Sequence, residues 1–250
     1  MNVSLYQAAA ALNANSRWQE VISGNLASSS VPGFKKQELS LAAVRAGLMP
    51  ASGLNSANLP QCFTLPKATS STSFASGELQ PTGNKNDVAI EGKGFFSVQL
   101  PNGSTVLTRD GEFQVNAKGR LVTKEGYTVL GDSGAINLDL SNPAPMSISA
   151  TGEVSQGAET KGKLKVTEFS NPELLTQISG AYFQANNPGL HSQTATSTLR
   201  QGYLEGSNTS VVREMANMMT ASRSFEANQH IIQIQDDRLG KTISELGNPN

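Results

Sequence analysis

The stretch VVREMANMMTASRSFEANQHIIQIQDDRLGKTISEL, Val211 to Leu246, carries the longest regular pattern in the chain, and the rest is read outward from it. Steps of four and three residues from Val211 land on Met215, Met218, Ser222, Phe225, Gln229, Ile232, Asp236, Leu239, Ile243 and Leu246. Eight of these eleven positions are apolar, and neither Pro nor Gly intervenes before Gly240. A period of about 3.5 residues held for about five heptads predicts a coiled-coil type of helix over about 210–246. Asn208 or Ser210 is placed to accept from its first free N–H groups, and Gly247-Asn248-Pro249 ends it. Asp237 and Lys241 are spaced for an i,i+4 pair that contributes only a few tenths of a kcal/mol.

Upstream the texture changes to β structure. The pairs Asn102-Gly103, Asp110-Gly111, Lys118-Gly119, Glu125-Gly126 and Ser133-Gly134 place their glycines 8, 8, 7 and 8 residues apart. That is the rhythm of short antiparallel strands joined by tight turns. Between them Phe95–Leu100, Thr105–Thr108, Phe113–Val115, Leu121–Thr123 and Tyr127–Leu130 are rich in β-branched and aromatic residues and predict strands. Met146–Ser149, Leu164–Phe169 and Ala181–Gln184 extend the series. At the other end, Met1 to about Ala27 holds no Pro and only Gly24. Leu5, Ala8 or Ala9, Leu12, Ile22 and Leu26 fall on one side of a helix, which Val31-Pro32-Gly33 stops.

The expected class is therefore α+β. Residues 1–34 and 203–250 form a terminal helical part, its two helices paired as a coiled coil. Residues 86–184 form a central antiparallel all-β domain, and the Ser/Thr/Asn/Gly/Pro-rich stretches 35–85 and 185–202 are extended or irregular links. The Ala- and Asn-rich first helix is too weak to stand alone in water, and a heptad helix must bury its seam. A helix of about 27 residues cannot cover one of about 37 at 1.5 Å per residue. The surplus seam predicts oligomerisation.

Composition narrows the function. The 250 residues carry 19 Lys+Arg against 20 Asp+Glu, a net charge of −1 without the basic excess or stripe that phosphate or anionic-lipid binding asks for, so nucleic acid is not an expected partner. Charged residues are only 16% and aromatics 6%, while 29 Ser, 20 Asn and 18 Thr make a small-polar, turn-rich chain. No stretch approaches the ~20 apolar residues of a membrane span, and the first residues lack the basic region of a cleaved secretory signal. The single cysteine, Cys62, forms no intrachain disulfide and has no basic neighbour to activate it.

Candidate chemistry reads as structure in each case. Neither His191 nor His230 has a carboxylate or cysteine at metal-ligand spacing. Glu91-Gly92-Lys93-Gly94-Phe95-Phe96 lacks the spacing of a phosphate loop and leads into a strand, so it reads as a turn or bulge sending two Phe to opposite faces. Asp236 and Asp237 diverge by about 100° on a helix. Met215, Met218 and Met219 at heptad spacing form an adaptable packing layer. No nucleophile–base–orienter set emerges, so neither an enzyme nor a cofactor is expected.

The two ends together resemble the bacterial flagellar rod and hook proteins. Gly24-Asn25-Leu26-Ala27-Ser28-Ser29-Ser30-Val31-Pro32-Gly33-Phe34-Lys35 is similar to that family's Asn-Asn-Leu-Ala-Asn run followed by Thr-Pro-Gly-Phe-Lys. Leu204-Glu205-Gly206-Ser207-Asn208, with Val212, Glu214-Met215, Met218-Met219, Arg223, Phe225-Glu226 and Asn228, is similar to its C-terminal pattern. Gly77-Glu78-Leu79, Thr82 to Phe96 and Leu107-Thr108-Arg109-Asp110-Gly111 with Phe113 resemble the start of its β domain and the next hairpin. Gly24, Ser28, Val31, Thr209 and Phe225 depart from the pattern, each keeping size or turn character.

The resemblance implies a rod subunit, since hook proteins are longer. Val129 to Gly134 and Ile232 to Gly240 look most like the proximal rod protein that carries a β domain. It further implies helical assembly with copies of itself and other rod proteins. The product is a hollow shaft that transmits torque and passes exported subunits. It also implies a place in the basal body, reached through the flagellar export apparatus without a cleaved signal or direct membrane insertion. The apolar lines supply Leu5, Leu12, Ile22, Leu26, Val211, Met215, Met218, Phe225, Ile232, Leu239, Ile243 and Leu246 as candidate assembly residues. The motifs add Asn25, Ala27, Pro32, Gly33, Phe34, Ser207 and Asn208. A distal rod or hook-type subunit, and a β-domain adaptor dimerised by a coiled coil, are the alternatives.

Overall fold

The computed structural model describes residues 3–49, 61–193 and 196–246, with side chains outside the description at 3–5, 45–49, 61–63 and 245–246. The chain is α+β. It opens on helix α1 (Val3–Ala27) and closes on helix α2 (Val211–Leu246), of 25 and 36 residues. Both agree with the apolar spacing of the sequence to within two residues. Gly247-Asn248-Pro249 lies outside the described residues, as does the Cys62 side chain.

Two units emerge. One comprises residues 27–36 and 72–210, the β unit; the other comprises 1–26, 37–71 and 211–250. Within the β unit the principal sheet runs, edge to edge, through Thr176–Ser179, Tyr182–Gln184, Thr105–Thr108, Phe95–Gln99, Thr128–Gly131, Leu121–Thr123 and Phe113–Val115. Successive neighbours are antiparallel, as tight turns between short strands require. A second antiparallel sheet joins Met146–Ile148, Glu153–Gln156 and Glu159–Lys163.

Phe95–Gln99 sits at the centre because both of its faces are buried. Alternate side chains point to opposite faces of a strand. Phe96 and Val98 therefore enter a core with Val106, Phe113, Leu121, Val129, Ile136, Ile148, Val154 and Leu199. Phe95 enters a second core with Leu107, Phe169, Leu175 and Phe183. This is the arrangement expected for the turn ahead of Phe95-Phe96. Phe95 and Phe183 meet edge to face at 5.9 Å, and Phe96 and Phe113 at 5.1 Å.

The stretches 35–85 and 185–202, expected to be extended or irregular, hold paired strands. Gln37–Met49 pairs with Gln61–Thr72. Thr198–Gln201 pairs antiparallel with Val88–Glu91, and Tyr203–Glu205 with Leu79–Pro81. Sequence missed them because Ser, Thr, Gly and Pro dominate these segments. The partners of Thr198–Gln201 and Tyr203–Glu205 also lie more than a hundred residues away, so no local turn announces those pairings.

Candidate assembly interface

Two features of the structure bear on function: a buried polar cluster inside the β unit, and the faces of the terminal helices.

The cluster begins at Val31-Pro32-Gly33, where Pro and Gly end the helical run in a turn closed by Phe34 N–H donating to Val31 O at 3.3 Å. Gly33 N–H then donates to the Glu205 carbonyl at 2.7 Å. That contact places Lys35 beside the Glu205 side chain, 170 residues away, with Nζ donating to Oε1 at 2.6 Å and to Ala75 O at 2.8 Å. Gly77 N–H donates to the same Oε1 at 2.8 Å. Arg109 Nη1 donates to Oε2 at 3.1 Å while its Nη2 donates to Gly92 O at 2.9 Å. The guanidinium lies 4.9 Å from the centre of the Phe95 ring. Lys35, Glu205 and Arg109 are 0%, 1% and 2% exposed.

One carboxylate thus faces two cations out of water. Burial pulls the Lys35 ammonium below its usual range, and the charge and hydrogen bond of Glu205 only partly restore it. Around this cluster Asn208 uses its whole carboxamide: Oδ1 accepts from Lys36 N–H at 2.8 Å, and Nδ2 donates to Ser73 O at 2.8 Å and Ala75 O at 3.1 Å. Of the two capping candidates, Asn208 is therefore committed elsewhere. Asn25 makes a comparable pair in the other unit, exchanging hydrogen bonds with Gln37 N–H and Gln37 O at 2.8 Å each.

Nearby, burial pushes the Asp110 carboxyl up to about 6, against the hydrogen bond it accepts from Glu112 N–H and with the charges of Glu112 and Glu125 adding to the rise. The folded protein holds this proton more tightly than the unfolded chain does. Between about pH 4 and 6 the folded state therefore binds more protons, and stability falls as pH rises through that window. At higher pH the charged Asp110 costs on the order of 2–3 kcal/mol. Asp110→Asn keeps the acceptor for Glu112 and removes the charge. Urea unfolding is expected to show it more stable than wild type at pH 8 by about 2 kcal/mol and equal near pH 3. Equal stability at both pH values would contradict this account.

On α1 the covered stripe runs through Ala8, Asn15, Ile22 and Asn25, at the spacing of one helix face. On α2 it runs through Glu214, Met218, Ala221, Phe225, Asn228, Ile232 and Gln235. That stripe shares Met218, Phe225 and Ile232 with the heptad line but is rotated from it, taking Ala221 where the line has Ser222. Ala221 is fully buried. The rotation leaves large apolar side chains bare. Val211, Val212, Met215 and Met219 are exposed within one arc of about 100°. Beyond Gln235 the covered face itself runs out, and Leu239 and Ile243 are exposed.

The expected assembly residues divide accordingly. Ile22, Asn25, Gly33 and Phe34 are buried. Leu12, Leu26, Pro32, Ser207, Asn208, Met218, Phe225 and Ile232 are half-buried, and Ala27, Val211, Met215, Leu239 and Ile243 are exposed. The side chains of Leu5 and Leu246 lie outside the described ones. The structure gathers Gly33, Phe34 and Asn208 at the buried cluster, where Phe34 O accepts from Asn208 N–H at 3.4 Å. Lys35, Arg109 and Glu205 were not singled out from sequence for a role of their own. They lie within the very motifs that carry the resemblance, but nothing local pairs them.

A β unit closed around a buried ion cluster, and a long helix whose apolar face is only partly covered, are features of a structural subunit. Comparison with known proteins agrees. Residues 89–156 match the flagellar hook protein FlgE/F/G D1 domain, and residues 200–245 the flagellar basal body rod FlgEFG protein C-terminal region. The flagellar basal-body rod protein FlgG of Buchnera aphidicola subsp. Schizaphis graminum is 32% identical over 97% of this chain and 99% of its own. FlgG of Borreliella burgdorferi is 35% identical over 67% of each chain, and FlgF of Escherichia coli 30% over 96% and 97%. The chain belongs to the flagellar basal-body rod protein family. It is a structural subunit of the flagellar basal-body rod.

Proposed function

We propose that this chain assembles helically through its terminal helices into a hollow drive shaft that transmits torque and lets exported subunits pass. In this reading the helices α1 and α2 pair as a coiled coil lining the inner tube, while residues 28–34 and 203–210, which belong to the β unit, lead into and out of it, and 86–184 form the outward β domain. Segments 35–85 and 185–202 link them through their paired strands. Its neighbours are copies of itself and other rod proteins. It reaches the rod through the flagellar export apparatus with its N-terminus retained; no described helix is long and apolar enough to cross a membrane. The resemblance of 129–134 and 232–240 favours the proximal part of the rod.

The observation that carries the assembly reading is the bare apolar face of α2, with Val212 80% and Ile243 69% exposed. Burial of such side chains at about 25 cal/mol per Å² drives association. Val212→Asp and Ile243→Asp change side chains that are mostly exposed, so the purified variants are expected to keep wild-type circular dichroism and melting. Rods and swimming are expected to be lost. Normal motility in both would defeat the reading. Electron microscopy of basal bodies from a deletion strain complemented with tagged protein locates the subunit: label near the cell is expected, and label further out moves it to the distal rod.

A further inference from the structure

The chain passes between the two units at four points, after residues 26, 36, 71 and 210. Inside the β unit three of the segments next to those points run together: 33–36, 73–77 and 204–208. Glu205 joins the first to the second by accepting from Lys35 Nζ and Gly77 N–H. Asn208 joins them again, through Lys36 on one side and Ser73 and Ala75 on the other. Ser73 N–H donates to Lys36 O at 2.9 Å, and Gly206 N–H to Glu78 O at 2.8 Å.

We propose that Asn208 and Glu205 form a latch that makes these three segments one rigid body, and that Asn208 is the positioning residue fixing where the chain leaves the β unit toward Gln37, Ser71 and Val211. A single extended strand is a loose joint, because every residue adds two soft dihedrals. Three segments tied across one another at several points lose that freedom. Only an amide side chain has the geometry for the outer tie, since it offers one acceptor and two donors in a plane and Asn208 uses all three. Asp lacks the donors and Ser lacks the span. The inference rests on the rod-subunit reading for the load the latch bears, which is torque entering the β unit through these segments.

Hydrogen exchange on the full-length protein tests the latch without reference to rods. Asn208→Ala frees Lys36 N–H directly. The latch also requires Ser73 N–H, whose acceptor the substitution does not touch, and Gly206 N–H to exchange at least about tenfold faster. Val98 and Val106 in the sheet are expected to keep their protection. Asn208→Asp retains the acceptor for Lys36 and loses both donors, so Ser73 loosens while Lys36 does not. Acceleration confined to Lys36 in the Ala variant overturns the latch. In cells, Asn208→Ala is expected to build rods yet swim more slowly than wild type as viscosity rises, and wild-type swimming at every viscosity overturns the load-bearing role. A strain lacking the protein that still swims normally would instead sink the rod reading, leaving the exchange result to judge the latch.

Discussion

Glu205→Gln is expected to destabilise the β unit by about 3–5 kcal/mol, because it leaves two buried cations facing a neutral amide. Lys35 and Arg109 have no water to turn to, both being at most 2% exposed. The substitution preserves shape, so the loss reads the charge itself. For a unit of this size that corresponds to a fall of about 10 °C or more in the melting midpoint by calorimetry. The lone Trp belongs to α1, so fluorescence would report the wrong unit. Lys35→Met is expected to cost less than half as much: it removes a cation that burial already disfavours and leaves Glu205 bonded to Arg109 and Gly77. A loss under about 1 kcal/mol for Glu205→Gln would mean the cluster is not held by its charges.

Gly33→Ala is expected to cost at least about 3 kcal/mol and to loosen the same region. Gly33 has φ +68°, a conformation that disfavours any Cβ by roughly 1–2 kcal/mol. Space adds to the strain, since the new methyl would stand 2.4 Å from Arg109 C and from Asp110 N, both backbone atoms. Moving them disturbs the strand that delivers Arg109 to Glu205, and moving Gly33 stretches its bond to the Glu205 carbonyl. Gly103→Ala is the control: its φ is +83° but nothing lies within 4 Å, so only the strain should appear, about 1 kcal/mol. Denaturant midpoints for the two variants should therefore differ clearly. Equal losses would show that the close approach at Gly33 is relieved without cost.

Much of the fold was legible because its signals are local. The 3.5-residue apolar period from Val211 extends as far as helix α2, and the glycine-punctuated ladder from Asn102 to Gly134 matches its strands, with Thr105–Thr108, Phe113–Val115 and Leu121–Thr123 found as expected. Turn chemistry and periodicity act over a few residues, and a few residues are enough to read them. The flanking strands were not legible. Val88–Glu91 pairs with Thr198–Gln201 across more than a hundred residues, and a four-residue strand inside a Ser/Thr-rich stretch is too short to betray so distant a partner.

The same division runs through the site. Which side chains of α2 are large and apolar is written in the sequence; which of them stay bare was settled by packing. The covered stripe takes in the fully buried Ala221 and leaves Met215 and Val212 exposed. The family motifs Pro32-Gly33-Phe34-Lys35, Thr108-Arg109-Asp110-Gly111 and Leu204-Glu205-Gly206-Ser207-Asn208 were visible as separate short runs. That their charged members form one buried cluster is a property of the tertiary structure alone, since Glu205 lies 96 residues from Arg109 and 170 from Lys35. Helix period, turn positions and the apolar inventory follow from neighbours in sequence. Long-range pairing and the choice of covered face depend on how distant segments compete for the same space, and only the folded chain resolves that competition.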